Sequence, residues 1–263
     1  MDGGAGVTNA AWRRFASEIG RWRDAGRMVE FWWRDDDAAR PVPAIERLLA
    51  LAAEWQVPLA LAVIPACADP SLFPLLGSGV DVLQHGADHL NRAATGEKKT
   101  EFPASESNEA ALERLVAGSR RLADLAGRRS LGVLTPPWNR LPVSLLPRLA
   151  SCQFFGLSRF GARGAAQAAI GLTEINTHID LIAWRSGRGF VGEEAALMQA
   201  IRHLEARREG TADPEEPTGW LTHHACHDEA AWAFLARLFE MLRAEKGVQW
   251  GRARDLFAGA AAQ

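Results

Sequence analysis

The sequence predicts a single-domain α/β barrel of about seven parallel strands. Short apolar runs alternate with amphipathic helical stretches along the chain, no internal repeat interrupts that alternation, and 263 residues suit one large domain of this architecture. No GxGxxG or P-loop pattern supports a nucleotide-binding open sheet instead.

Residues 9–23 carry apolar side chains at helical spacing and predict an opening helix. The run MVEFWW at 28–33 is rich in β-formers and stops at a cluster of charges, so it reads as a buried strand. Residues 43–55 place Ile45, Leu48, Leu49 and Ala52 on one helical face. Pro58 then opens the apolar run LALAVI, which ends at Pro65. A third strand at 80–83 meets HGADH, and the polar stretch 92–107 reads as a flexible loop before a long amphipathic helix at 108–126. The alternation continues through LGVLTPPW, a short helix near 143–150, FFGLSRF, TEINTHIDLIAW and a helix at 193–207. An acidic, proline-bearing loop at 211–218 precedes WLTHHACH, a helix at 229–244 and the short apolar piece VQW.

Apolar residues make up 48% of the chain and charged residues 24%, enough for a sizeable core and no reason for disorder. A net charge of −2 and a pI near 6.4 give no electrostatic reason to expect nucleic acid or an anionic membrane as partner, which points to a small or neutral substrate. Cys67, Cys152 and Cys226 are odd in number and lack paired spacing, against a disulfide framework and for a reducing compartment. No stretch has the length and apolarity of a signal peptide or membrane span, so a cytoplasmic location is the expectation. Oligomeric state is not legible in the sequence.

Active sites of parallel α/β folds sit at the carboxyl ends of strands. Those positions carry RDDD (34–37), HGADH (85–89), TPPWN (135–139), SRF (158–160) and THH (222–224). One aspartate of RDDD with His85 and His89 would make a three-ligand site for one divalent cation, leaving positions open for water and substrate. The HxxxH spacing would put both imidazoles on one side of a helical turn.

In order and spacing, these motifs resemble the polysaccharide deacetylase (NodB-like, carbohydrate esterase family 4) family over residues 31–224. RDDD is similar to its paired aspartates, HGADH to its histidine pair and TPPW to its groove-walling motif. HIDLIAW is similar to its Asp and Trp motif and LTHH to its leucine-x-histidine motif. The resemblance implies a distorted (β/α) barrel spanning 1–263 as one catalytic domain, with 1–27 as an N-terminal helical extension. It implies Asp35 as general base, Asp36, His85 and His89 as metal ligands and His223 as general acid. Pro137, Trp138, Asp180, Trp184 and His224 are then the candidates for contacting substrate, with Trp138 foremost for stacking on a sugar. The implied activity is metal-dependent removal of an acyl group, N-acetyl foremost, from an amino sugar or glycan-type substrate. Zinc leads the first-row ions that suit such ligands.

The chain departs from the pattern in three places. Asp37 stands where the family has glycine, so the register could shift by one, making Asp36 the base and Asp37 the ligand; the unshifted register is preferred. Thr135 replaces the family's arginine, leaving Arg34, Arg140 and Arg159 as candidates to orient the base. His224 and His227 neighbour His223, and strand alternation lets only one of His223 and His224 face the site. Asp37 otherwise reads as a loop or capping residue, Asp88 as solvent-facing, His178 as packed in a strand and His203 as an exposed helix residue. Three other functions stay open: hydrolysis of a different non-peptide amide, a silent glycan-binding relative, and a cysteine hydrolase on Cys226. The last leaves RDDD and HGADH unexplained.

Overall fold

In the computed structural model, the backbone is described for residues 3–259 and side chains for 9–258. Helix α1 (Gly3–Asp24) leads to β1 (Val29–Ala38), α2 (Pro43–Trp55), β2 (Leu59–Val63), β3 (Val80–His85), α3 (Asn108–Ala126) and β4 (Ser130–Thr135). The chain continues through α4 (Leu146–Ser151), β5 (Gly156–Leu157), β6 (Gln167–Ala169), β7 (Leu172–Glu174), β8 (Ile179–Asp180) and α5 (Glu193–Glu209). It ends with β9 (Thr218–Thr222), α6 (Glu229–Ala244), β10 (Val248–Trp250) and α7 (Ala253–Gly259).

The strands form one sheet in the order β6-β7-β5-β4-β3-β2-β1-β9-β8, with β10 added beside β1. Every pairing is parallel except that of the short β6 with β7. The ring closes through a single span of chain. β7 pairs with β5, Thr177 bridges to Phe160, and β8 then pairs with β9. With β7 and β8 taken as one span, the ring has the seven parallel strands that the sequence predicts; the apolar piece VQW forms β10, whereas β6 and α7 went unforeseen because each is too short for its periodicity to stand out.

Side-chain alternation divides the core. Trp32 of β1, Ala60 and Ala62 of β2, Leu83 of β3 and Val133 of β4 fill the barrel interior together with Ile175 and the α7 residues Ala253 and Phe257. Phe31 and Trp33 face the other way, into a larger core shared with α1, α2, α5 and α6. Phe15, Ile19 and Trp22 of α1 are buried there, and α1 packs along α5.

α7 plugs the lower end of the ring. Phe257 meets Trp32 edge-on, with centroids 6.1 Å apart, and a Cβ on Gly156 would come within 2.6 Å of its ring. Buried Asp81 ties the plug down by accepting from Arg252 Nη2 at 3.0 Å, Arg254 Nη2 at 2.6 Å and the Arg254 amide at 3.1 Å. No helix among the described residues is long and apolar enough to cross a membrane.

Because Phe257 is fully buried in a narrow interior, Phe257→Ala should cost about 3–5 kcal/mol in urea unfolding. A loss under 1 kcal/mol would show that the plug does not support the barrel.

Candidate metal centre

β1 runs on through the charged cluster, so all three aspartates lie on the strand rather than in a loop after it. Arg34 and Asp36 share the inward side with Trp32, and Asp35 shares the outward side with Trp33. At the strand's end the register against β2 slips: Asp35 pairs with Leu61 and Ala38 with Val63, which leaves one extra residue on β1. Asp37 takes up that bulge at φ 69°, and the departure from alternation turns its carboxylate into the cleft beside that of Asp36.

The cluster of ligand atoms forms on Asp37 rather than Asp36. Asp37 Oδ1 lies 3.1 Å from His85 Nε2 and 3.2 Å from His89 Nε2, whereas Asp36 is not part of the group. This is the shifted register, and the bulge is its physical reason.

The protonation of His85 suits the trio to holding a cation. His85 Nδ1 lies 3.0 Å from the Thr135 carbonyl, which can only accept, so Nδ1 carries the proton. In the neutral ring, Nε2 therefore presents a lone pair to a carboxylate oxygen, which is repulsive unless a positive charge lies between them. Two ligand atoms about 2.1 Å from a cation and near a right angle apart stand about 3 Å from each other, so the donor set fits a divalent ion. Burial works to raise the Asp37 carboxyl, but the two imidazoles overcome it and hold it well below the usual carboxylate range. Burial likewise lowers His85, and the carboxylates of Asp36 and Asp37 more than offset it, leaving a net upward shift. The same field favours a bound cation.

HGADH does not form the expected helical turn. His85 ends β3, Gly86 has φ 61° and His89 has φ 58°. What holds this loop is Glu101, a fully buried carboxylate that accepts from the amides of Ala87, Asp88 and His89 at 2.8, 3.0 and 3.2 Å. A Cβ on Gly86 would sit 2.0 Å from Glu101 Oε2 and 2.7 Å from Pro137, so only glycine fits. Burial pushes the Glu101 carboxyl upward. Sequence reasoning missed Glu101 because a single acid in a polar loop carries no spacing signal.

Arg34, 1% exposed, organises the carboxylate of Asp36 beside the trio. Its Nη2 donates to Asp36 Oδ2 at 3.0 Å and Nη1 to Ser158 Oγ at 2.6 Å, while Nε pairs with Asp36 Oδ1 at 2.9 Å in poor hydrogen-bond alignment. Of the other arginines considered, Arg159 is engaged by Glu174 and Arg140 by the Lys99 carbonyl.

Asp35 does not reach the cleft. It is fully buried and accepts from Thr222 Oγ1 at 2.6 Å and the His224 amide at 3.0 Å, with His224 Nδ1 at 2.6 Å. Burial acts to raise its pKa, but the His224 charge and hydrogen bond bring it below the ordinary value. His224 is thus held behind the cleft wall, away from any substrate.

His223 lines the cleft in its place. Its Nδ1 lies 4.0 Å from Asp180 Oδ1, and Trp184 meets its ring edge-on while donating from Nε1 to Asp180 Oδ2 at 2.7 Å. Trp138, at φ 56°, packs on His89 with centroids 4.6 Å apart. Pro136 lines the cleft, whereas Pro137 is buried beneath Gly86. The cleft encloses about 830 Å³, a volume suited to a small ligand or part of a chain.

A second group, His178, His203 and Glu216, lies at the lower end of β9. His203 is buried, contrary to expectation, because α5 lays it flat on His178 with centroids 3.4 Å apart. The Gly219 amide donates to His178 Nδ1 at 3.0 Å, which puts the proton of the neutral ring on Nε2, 3.4 Å from Glu216. That nitrogen has no lone pair for a metal, and the two rings of the group are stacked on each other.

No family model matches the sequence, and no curated protein matches it. Solved structures match its fold. A Mycobacterium smegmatis protein classed as a polysaccharide deacetylase superposes with TM-score 0.67 at 16% identity, covering 90% of this chain and 92% of that one. The Puue allantoinase superposes with TM-score 0.62 at 16% identity, covering 89% and 91%. A family 4 acetyl xylan esterase from Clostridium thermocellum, solved with cobalt, gives TM-score 0.52 at 11% identity, covering 87% and 90%. The fold is the distorted (β/α) barrel of these hydrolases.

Two measurements check the site. Glu101→Gln should weaken zinc binding about 10–100-fold in a chelator competition, because the substituted amide cannot accept from three amides; unchanged affinity would remove Glu101 from the site. Burial holds His178 below 6.5 and His203 down to about 2, so their unfolded forms bind more protons. The stability they confer is complete above about pH 6.5 and is lost as pH falls below it. In urea unfolding, the difference between wild type and His203→Gln should shift by about 2 kcal/mol between pH 7 and pH 5, against the wild type at the lower pH.

Proposed function

We propose that the protein is a metal-dependent hydrolase that removes an acyl group, N-acetyl foremost, from an amino sugar or glycan-type substrate. The observation that carries this reading is the convergence of three candidate ligand atoms, from Asp37, His85 and His89, at the floor of a cleft that also holds a positioned carboxylate and an imidazole. Deacetylases, esterases and an allantoinase among the structural neighbours support it.

In this reading Asp37, His85 and His89 hold one divalent ion, zinc foremost. When bound, that ion supplies Lewis acidity toward the acyl carbonyl and lowers the pKa of water. Asp36 takes the proton from the attacking water. The Nη2 hydrogen bond and the close charge of the Arg34 guanidinium hold the Asp36 carboxylate in one orientation, so little reordering is needed as the proton moves. Arg34 thereby fills the place that Thr135 leaves vacant.

His223 gives a proton to the departing amine, which leaves poorly as an anion. Asp180 lies 4.0 Å from Nδ1, and Trp184 keeps Asp180 facing the ring. Water and amide are consumed, and a carboxylic acid and an amine are released. Asp35 and His224 act from behind as a buried pair that fixes the turn carrying His223.

Zinc titration and acetate release from N-acetylated sugars separate these roles. Asp36→Asn should retain zinc and lose about 10²–10⁴ in kcat. Asp37→Asn should lose zinc itself. Full turnover in Asp36→Asn, or zinc bound as tightly by Asp37→Asn as by wild type, would overturn the assignment. The allantoinase likeness favours a cyclic ureide as a second substrate, and turnover of allantoin in place of acetylated sugars would select it.

A further inference from the structure

The charges lining the cleft are unevenly matched. Its three aspartates are all engaged: Asp36 by Arg34, Asp37 by the two imidazoles, and Asp180 by Trp184, the Ile182 amide and nearby His223. Three cations, Lys99, Arg140 and Arg188, also line the cleft, and none has a carboxylate at ion-pair distance among the described residues. With a dication on Asp37, the cleft would be positive although the whole chain carries −2.

These cations have defined places. Arg140 follows Trp138 and Asn139, both left-handed at φ 56° and 57°, and donates Nη1 to the Lys99 carbonyl at 2.6 Å. That bond joins the loop after β4 to the loop after β3 and leaves the remaining guanidinium donors free. Arg188, at φ 58°, closes the turn after β8 that begins near Trp184, and its amide donates to the Ala183 carbonyl at 3.2 Å. The cations thus stand on two parts of the rim, Lys99 and Arg140 after the paired strands β3 and β4 on the Trp138 side and Arg188 after β8 on the Trp184 side.

We infer that the substrate bears a negative charge, carboxylate or phosphate, away from the scissile amide, and that Arg140, Lys99 and Arg188 read it; this rests on the hydrolase reading above. A neutral sugar could stack on Trp138 or Trp184 but would leave all three cations to water. An anion in a partly enclosed cleft would gain charge-assisted hydrogen bonds from a guanidinium already held in place.

The test uses the zinc-loaded full chain and three probes: N-acetylglucosamine, its 6-phosphate, and N-acetylmuramic acid. Acetate release and calorimetric binding are both measured. At least one anionic probe should exceed the neutral sugar about tenfold in kcat/KM or in affinity, and the preference should shrink as salt rises. Which anion prevails distinguishes phosphate from carboxylate. Arg140→Gln with Arg188→Gln should bring the preference close to one. If neither anion binds or reacts better than the neutral sugar, or if the preference survives the double substitution, the inference is overturned. Tighter binding of an anion without acetate release in any form would uphold the inference and sink the hydrolase reading instead.

Discussion

A strand can send only alternate side chains to one face, and the site depends on breaking that rule once. Arg34 and Asp36 face inward by alternation, and Asp35 faces outward. The bulge at Asp37 then brings a second carboxylate into the cleft next to the first. Two adjacent acids on one side would repel each other. Arg34 relieves that repulsion on one flank, and on the other a positive charge held with His85 and His89, a proton or a bound cation, would do the same.

Most of the architecture was legible because it follows from periodicity. The spans of α2, α3 and α6 coincide with their apolar patterns, and the strand-ending motifs fall where the parallel sheet puts its chemistry. The alignment of the aspartates was not legible. RDDD admits two registers, of which the resemblance favours the unshifted one, and settling between them requires the pairing partner of each residue on β2, which is a tertiary fact. His85, His89, His223, Trp138, Asp180 and Trp184 do line or approach the cleft, whereas Asp35, His224 and Pro137 lie behind it.

Glu101 and His203 mark the other limit of sequence reasoning. Glu101 gains its place from three backbone amides that turn toward it only after HGADH has folded as a loop. His203 sits on a helix of mixed polarity, where nothing in the local pattern separates a buried imidazole from an exposed one. In both cases the partner comes from a distant segment.

The ring's closure through one span also links its two ends. His178 belongs to the buried cluster below, and Asp180, two residues on, stands in the cleft above; β8 is what connects them. An insertion or deletion of one residue between His178 and Asp180 would put these two side chains on opposite faces of the strand, so that Asp180 could not face His223 while His178 kept its bond to the Gly219 amide. Loops elsewhere around the mouth can lengthen or shorten as substrates change over evolutionary time, but this short stretch acts as a fixed ruler whose length the rest of the mouth must respect.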